Sequence, residues 1–249
     1  MRAAGRQLSY SSRMPEAVEV QSMFGRIAGR YDLLNRVLSM GIDQGWRRRL
    51  LARAGDVSGL RVLDACCGTG DLSLAFRRAN ARVLGVDFTH EMLEHATPKA
   101  KGRGGGHDAG VLFAQGDALR LPARDASMDV CCVAFGIRNV ADRRLALREM
   151  RRVLRPAGHA LVLEFSQPPP GLFGLAYRFY FTRILPLIGG WISGDAEAYR
   201  YLPRTVLEWP GPGEFQREME GEGLTGCGHE LLAGGIACLH WGNSGGGDR

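Results

Sequence analysis

Apolar residues recur along this chain with two different periods, and the two alternate over most of its length. Short, nearly continuous apolar runs are typical of strands that are covered on both faces of a sheet. They occur at residues 60–65, 82–86, 111–115, 128–134 and 159–165. Between them, apolar residues return at the spacing of an amphipathic helix. These segments are residues 71–78, 91–96 and 141–154. The alternation predicts a mostly parallel sheet with helices on both sides.

The two ends of the chain depart from this alternation. Before the first strand, helical spacing predicts a cap of three helices, at residues 16–30, 31–38 and 46–54. After the fifth strand comes an aromatic-rich insertion with a helical pattern, at residues 171–211, and then a helix at 215–222. Two last strands, at 226–232 and 235–241, are joined by a short glycine connection that predicts an antiparallel hairpin. The predicted fold is therefore α/β, with a seven-stranded, mostly parallel sheet and an antiparallel final strand.

The composition indicates one globular domain. The 249 residues are 45% hydrophobic and 23% charged, which is the profile of a soluble protein with a sizeable core. We expect a single domain over residues 16–242, with the cap at 16–56 and the insertion at 171–211. Residues 1–15 and 243–249 are expected to be flexible tails.

Charge and cysteine usage exclude several classes of function. The net charge of +6 is modest and the basic residues are scattered, so no nucleic-acid partner is expected. The adjacent pairs Cys66-Cys67 and Cys131-Cys132 lack the spacing of zinc ligands and lie in apolar runs. We expect reduced, buried thiols and no metal.

The chain carries no clear export or membrane signal. Residues 1–15 are basic and polar and lack the apolar segment of a secretory signal. The most apolar stretch, residues 171–192, contains Arg178, Arg183 and Pro186 and is not a clean membrane span. These features predict a cytoplasmic protein, with peripheral contact at the inner face of the cell membrane left open.

The chemistry is concentrated where the predicted strands end. The turn Gly68-Thr69-Gly70 follows strand one and opens a helix, where unpaired N–H groups favour an electron-rich ligand. Asp87 ends strand two, and its carboxylate can accept both hydroxyls of a ribose. Asp117 and Ala118 follow strand three, where an oxygen can receive an adenine amine. Because ligands of such sheets bind at the carboxyl ends of the strands, these residues predict a nucleoside site.

The glycine turn alone does not distinguish a dinucleotide from S-adenosylmethionine. The dinucleotide fingerprint needs a third glycine, and Ser73 stands at that position. Together with Asp64 just before the turn, this favours S-adenosylmethionine. A nicotinamide-dependent oxidoreductase stays open as a second hypothesis.

Four further segments resemble one known family. Residues 31–35 (Tyr-Asp-Leu-Leu-Asn), with Ser39 and Trp46, resemble the N-terminal signature of the menaquinone/ubiquinone biosynthesis C-methyltransferases. Residues 152–158 running to 163–166 are similar to their second signature, and 135–140 and 195–203 to two other segments. The resemblance covers about residues 18–242. It implies a Rossmann-like class I methyltransferase with a helical insertion after strand five.

The resemblance implies an activity and a set of residues. The activity is S-adenosylmethionine-dependent C-methylation of a demethylmenaquinol, or alternatively of a polyprenyl benzoquinol. The family's cofactor contacts fall on Thr69, Asp87, Asp117 and Ala118. The chain departs from the family at Asp43, where the signature has a histidine, and at Ala134, where the family uses a serine. These departures leave a non-catalytic binding module open as a third hypothesis.

Arg138, Asn139 and Tyr31 are the predicted catalytic residues. A ring carbon becomes a good nucleophile when a neighbouring hydroxyl loses its proton. Arg138 is expected to stabilise the phenolate, and Asn139 to donate to the same oxygen or to orient a water. Tyr31 is expected to close the site from the cap. Arg138 could instead only pair with a carboxylate, and Tyr31 only pack. The candidates for the base are Glu164, His240, Asp43 and a water relay.

The insertion is the expected site of a lipid tail. Its aromatic residues offer apolar surface, while Arg178 and Arg183 can meet lipid headgroups. An ordinary lid packed on the sheet is the alternative. The predicted partner is a lipid quinol with an isoprenoid tail, and a homodimer stays open.

Overall fold

The computed structural model describes residues 17–39, 41–101, 110–167, 171–184 and 196–245. In this part of the chain, seven strands form one sheet in the order β3-β2-β1-β4-β5-β7-β6. The strands are β1 (Arg61–Ala65), β2 (Arg82–Asp87), β3 (Val111–Gln115), β4 (Met128–Ala134), β5 (Leu154–Phe165), β6 (Thr225–Leu232) and β7 (Ala237–Asn243). Strand β7 is antiparallel to both of its neighbours, and the other pairs are parallel. The structure confirms the predicted sheet.

Eight α-helices are described around the sheet in these ranges. They are α1 (Ala17–Leu38), α2 (Ile42–Ala54), α3 (Asp71–Arg78), α4 (His90–Lys101), α5 (Arg143–Val153), α6 (Leu172–Phe179), α7 (Ala196–Leu207) and α8 (Pro212–Gly221). A 3-10 turn, Ile137–Asn139, follows β4, and a π-helical turn, Tyr180–Ile184, continues α6.

The prediction of three cap helices was wrong, since the described part of the cap contains two. The predicted segments 16–30 and 31–38 are one helix, α1, which continues without a break through Gly25 and Gly29. The break comes at Gly41, whose φ of +77° is a left-handed conformation that glycine adopts without strain. Helix α2 then begins at Ile42, ahead of the predicted start at Trp46.

Two hydrophobic clusters cover the two faces of the sheet. On β4, Val130 and Cys132 face α2 and α3, while Cys131 and Val133 face α5 and α8. Successive side chains of a strand point to opposite faces, and both faces are buried here. This is why β4 is apolar from Val130 to Ala134, whereas Asp129 near its start accepts from the backbone N–H of Arg61.

The cap and the insertion meet in a third cluster. Met23 and Ile27 of α1 pack with Phe181 of the π-helical turn and Val206 of α7. The partly buried side chain of Phe165, at the end of β5, packs against this cluster. The cap and insertion therefore come together beside the carboxyl ends of the strands. None of the helices in the described ranges has the length and apolar character needed to cross a membrane.

Candidate active site

A cleft with about 850 Å³ of empty space, counted out to its open mouth, lies where β1, β2, β3 and β4 end. The strand ends contribute residues to its wall, and helix α1 closes one side. The lining residues include Cys66, Gly68, Asp87, Phe88, Thr89, Gly116, Asp117, Ala118, Ala134, Phe135, Gly136, Asn139, and from α1 Val20, Gln21 and Phe24.

Asp87 is the buried carboxylate of the cleft. Its Oδ2 accepts from the backbone N–H of Gly68 at 2.7 Å, and its Oδ1 accepts from that of Thr89 at 2.8 Å. Burial raises the pKa of Asp87, and the backbone hydrogen bonds oppose that rise. Each carboxylate oxygen keeps a second acceptor position. The carboxylate is thus held at the end of β2 and ties the glycine turn to it.

Thr69 and Gly70 shape the turn from outside the cleft. Gly70 has a φ of +82°, and a Cβ atom there would lie 2.8 Å from Cζ of Phe113. Thr69 is buried, and its hydroxyl donates to Oδ1 of Asp32 in α1. Asp32 also pairs with Lys99 of α4. Neither Thr69 nor Gly70 is among the described residues that line the cleft.

Asp64 and Ser73 form a buried contact behind the turn. The Ser73 hydroxyl donates to Oδ2 of Asp64 at 2.5 Å, and both residues are buried. Burial raises the pKa of Asp64 to about 7, while the bond from Ser73 lowers it. The serine that replaces the third glycine of the dinucleotide pattern therefore serves the packing of α3 on β1.

Asp117 and Ala118 line the cleft after β3. The backbone N–H of Leu119 donates to Oδ1 of Asp117 at 2.9 Å, and that of Arg120 donates to its carbonyl at 3.0 Å. These bonds form a tight turn directly after Gly116. The side chain of Asp117 is therefore oriented by the local turn.

Arg138 forms a buried ion pair instead of lining the cleft in the described ranges. Its Nη1 lies 2.6 Å from Oε1 of Glu164 and donates to the carbonyl of Phe135 at 2.7 Å. Its Nε is buried without a hydrogen-bond partner among the described residues. Burial raises the pKa of Glu164, and the Arg138 guanidinium opposes that rise. The pairing with a carboxylate that the sequence left open is thus present.

Asn139 lines the cleft, one residue after Arg138. Its Oδ1 accepts from the hydroxyl of Tyr201 in α7 at 3.2 Å. Tyr31 lies within α1, but its side chain is outside the described part of the structure. Of the three predicted catalytic residues, the described cleft therefore contains Asn139.

None of the three candidate base residues lines the cleft in the described chain. Glu164 is fully buried in its pair with Arg138, and the other two lie elsewhere. Asp43 is buried in the first turn of α2, where it accepts from the Ser39 hydroxyl at 2.8 Å and pairs with Arg47. His240 is buried in β7, with Nε2 at 3.2 Å from the carbonyl of Pro212. Burial lowers the pKa of His240 to about 4. Neither residue is among those that line the cleft in the described chain.

Sequence reasoning missed several residues of the cleft. Phe88, 40% exposed, directly follows Asp87, so its position after a strand end was a usable signal. Gln21 of α1 donates to the carbonyl of Phe88 at 3.1 Å. Nothing local marked Gln21, Phe24 or Tyr201, because their roles depend on how distant helices pack.

The six cysteines are free thiols. Cys67, Cys131, Cys132 and Cys238 are buried, and burial raises the pKa of each thiol. In the described ranges, no group of three or more His, Cys, Asp or Glu side chains is arranged to hold a metal ion. Ala134, which replaces the family's serine, lines the cleft and has no polar side-chain atom to offer a ligand.

A comparison with protein families decides between the methyltransferase and the oxidoreductase hypotheses for this cleft. Residues 12–244 match the model of the ubiE/COQ5 methyltransferase family. The chain belongs to this family. It is therefore a methyltransferase, and the nicotinamide-dependent oxidoreductase is set aside. The resemblance seen in the four sequence segments is confirmed.

Alignments with three similar proteins cover most of the chain of this ubiE/COQ5 family member. It is 48% identical over 223 residues to demethylmenaquinone methyltransferase from Thermus thermophilus, covering 89% of this chain and 99% of that protein. It is also 48% identical over 207 residues to demethylmenaquinone methyltransferase from Deinococcus radiodurans, covering 82% of this chain and 84% of that protein. The ubiquinone/menaquinone biosynthesis C-methyltransferase UbiE of Syntrophotalea carbinolica is 44% identical over 229 residues, covering 90% and 93%.

Solved structures support the fold. A SAM-dependent methyltransferase from Thermotoga maritima matches with a TM-score of 0.63 at 17% identity, covering 90% of this chain and 99% of that one. The cyclase SpnF matches with a TM-score of 0.64 at 17% identity, covering 95% and 98%. A methyltransferase and a cyclase share the fold, so these structural matches support the fold and not the reaction.

Proposed function

We propose that this methyltransferase transfers the methyl group of S-adenosylmethionine to a ring carbon of a demethylmenaquinol, a polyprenyl naphthoquinol, in menaquinone biosynthesis. The observation that carries the proposal is the match to the Thermus thermophilus enzyme over 99% of its length. The relatives at 42–44% identity carry names that include both ubiquinone and menaquinone. Methylation of a polyprenyl benzoquinol is therefore the second candidate.

The residues of the cleft fit S-adenosylmethionine. The two oxygens of Asp87 are oriented by backbone donors and are proposed to accept the ribose hydroxyls. The exposed ring of Phe88 offers an apolar surface to the base, and Asp117 and Ala118 lie where an adenine amine can be received. The backbone of Gly68 is proposed to approach the ligand. When bound, S-adenosylmethionine supplies an electrophilic methyl group on a sulfonium centre.

Thr69 and Gly70 are proposed to contribute through the shape of the turn. The left-handed φ of Gly70, together with the Phe113 ring that leaves no room for a Cβ atom there, fixes the path of the backbone that leads into α3. The bond from Thr69 to Asp32 ties the same turn to the cap. The cap is in this way connected to the part of the site that holds the methyl donor.

The acceptor ring needs help to react at carbon. A phenol has a pKa of about 10, so it is mostly neutral at pH 7. As the ring carbon bonds to the methyl group, the methyl–sulfur bond breaks with its electron pair left on sulfur, and the hydrogen of that carbon leaves as a proton. We propose that Arg138 stabilises the negative charge on the ring oxygen through its field and that Asn139 donates to that oxygen. A water relay is the proposed proton acceptor. Glu164, which does not line the cleft, takes part only as the group to which such a relay passes the proton.

Helix α1 and the insertion are proposed to enclose the acceptor. Tyr31 lies seven residues after Phe24 of the cleft wall, and we propose that it closes the site from the cap. A site closed on both sides can align the ring carbon, the methyl group and sulfur, which is where orientation contributes most.

The outer face of α6 is proposed to meet the membrane that holds the lipid substrate. Leu172, Leu175 and Phe179 are 87%, 66% and 62% exposed. Arg178 and Arg183 are also exposed, and cations beside apolar side chains suit an anionic membrane surface. We propose a cytoplasmic enzyme that binds reversibly at the inner face of the cell membrane.

Incubation with labelled S-adenosylmethionine and a panel of reduced quinones tests the proposal. We expect label in a demethylmenaquinol and none when the donor is omitted. Label in a demethylated benzoquinol alone would select the second candidate. Absence of label from every quinol, in a protein that binds the donor, would overturn the proposed substrate class.

A further inference from the structure

The hydroxyl of Tyr201 reaches the cleft through Asn139. Tyr201 belongs to α7, 62 residues further along the chain, and its Oη donates to Oδ1 of Asn139 at 3.2 Å. This distance is long for two oxygens, as hydrogen bonds of an active site commonly are before the substrate binds. The contact joins the insertion to the turn that follows β4.

This contact orients the Asn139 side chain. A carboxamide has one acceptor end and one donor end. With Oδ1 held by Tyr201, the amino group is the end that can donate to a ligand. Asn139 is also a residue of the cleft wall, whereas the neighbouring Arg138 is held by Glu164. An oriented donor at this position suits an oxygen that gains negative charge.

Tyr201 is itself held in place. Its ring packs against the cluster formed by Met23, Ile27, Phe181 and Val206. The guanidinium of Arg204 lies over the ring, 5.6 Å from its centre. Burial raises the pKa of Tyr201, with Arg138 opposing that rise, so the phenol keeps its proton and can donate. A neutral, fixed hydroxyl is suited to holding a neighbour and unsuited to acting as a base.

We propose that Tyr201 is a positioning residue for methyl transfer: its hydroxyl holds the Asn139 carboxamide so that the amino group donates to the quinol oxygen next to the reacting carbon. The inference rests on the proposed function and adds a residue to it. Because Tyr201 belongs to the insertion, it also makes the alignment of the acceptor depend on how α7 is seated.

The test is the Tyr201→Phe variant of the full chain, which removes the hydroxyl and keeps the ring. One neutral hydrogen bond is worth about 0.5–1.5 kcal/mol, so kcat is expected to fall about 2- to 13-fold. The Kd for S-adenosylmethionine is expected to stay unchanged, and the thermal midpoint is expected to fall by no more than a few degrees, since the same bond is present in the unliganded fold. The matched control is Thr205→Val, which removes a buried hydroxyl that bonds within the same helix, to the carbonyl of Leu202. This control should keep the wild-type kcat.

A double-mutant cycle with Asn139→Ala distinguishes positioning from an independent role. If Tyr201 acts through Asn139, Tyr201→Phe will have no further effect on kcat in the Asn139→Ala background. An equal loss in both backgrounds, or a wild-type kcat for Tyr201→Phe, would overturn the inference. The wild-type enzyme is assayed in parallel, so failure to methylate any quinol would count against the proposed function instead.

Discussion

Arg138 and Glu164 form an ion pair inside the protein, with Nη1 and Oε1 2.6 Å apart and side chains only 6% and 0% exposed. The same carboxylate accepts from the backbone N–H of Phe165 at 2.8 Å. The pair therefore joins the turn after β4 to the end of β5, directly behind Asn139. Arg138, which the sequence predicted to stabilise charge on the substrate, therefore also holds two strand ends together.

Removing one partner of this pair should destabilise the fold. Arg138→Met leaves Glu164 buried without its cation, which typically costs about 3–5 kcal/mol. Urea unfolding at pH 7 measures the change. The control is Arg155→Met, because Arg155 lies 2.7 Å from Asp129 but is 45% exposed, and such pairs are worth about 1 kcal/mol or less. Equal losses in the two variants would contradict the buried role of Arg138.

Asp87→Ala should weaken the binding of S-adenosylmethionine. The variant removes the proposed ribose acceptor and leaves the N–H groups of Gly68 and Thr89 without their partner. Calorimetry should show a Kd at least about tenfold higher, since charged hydrogen bonds contribute about 1.5–3 kcal/mol each. Asp56→Ala is a matched control, because Asp56 also accepts from an N–H two residues on, that of Ser58, but is exposed. Unchanged affinity in Asp87→Ala would refute the ribose assignment.

Asp64 should make the protein less stable as the pH rises from about 4 to 7. Burial raises its pKa from 3.8 to about 7, so the folded state binds the proton more tightly than the unfolded state. Stability from this group is full below pH 4 and declines up to pH 7, by about 1.4 kcal/mol per pH unit. Asp64→Asn should remove this slope in urea unfolding across the pH range. An identical slope in Asp64→Asn and wild type would contradict the prediction, and Asp56→Asn serves as the exposed control.

His240 should have the opposite effect. Burial lowers its pKa from 6.5 to about 4, so the unfolded state binds the proton more tightly. Its contribution is full above pH 6.5 and is lost as the pH falls toward 4, up to about 3 kcal/mol. His240→Gln should therefore reduce the loss of stability in acid. His159→Gln, at an exposed position of β5, should retain it, and the same retention in His240→Gln would count against the prediction.

Leu175→Ser should weaken binding to anionic phospholipid vesicles. Leu175 is 66% exposed on α6, and burial of a leucine side chain contributes about 1.5–3 kcal/mol, so the partition coefficient should fall at least about tenfold. Co-sedimentation measures it. Leu112→Ser is a matched control, because Leu112 is 67% exposed on β3, at the edge of the sheet. Equal effects of the two variants, or no sedimentation of the wild type, would refute the proposed membrane face.

The strands and the residues at their ends could be predicted because their signals are local. Apolar runs mark β3 and β4 with the bounds that the structure has, and Asp87 follows such a run directly. Helix boundaries were harder to predict from the apolar pattern where a capping side chain or a proline determines them. The side chain of Asp142 accepts from the N–H of Leu145 and starts α5 two residues later than the pattern predicted. Helix α8 starts at Pro212, ahead of its apolar residues.

The sequence by itself determined the sheet, the glycine turn and the family, because periodicity and short motifs lie within a few neighbouring residues. Only the tertiary structure decided what the charged and polar side chains contact. Arg138 meets Glu164 across 26 residues, and Asn139 meets Tyr201 across 62. Such contacts depend on how strands and helices pack. Packing is driven mainly by the burial of apolar surface, which is non-directional and so does not specify in the sequence which distant polar residues will meet. The turn that we propose for the methyl donor could be read from the sequence, while the oriented amide that we propose for the acceptor required the fold.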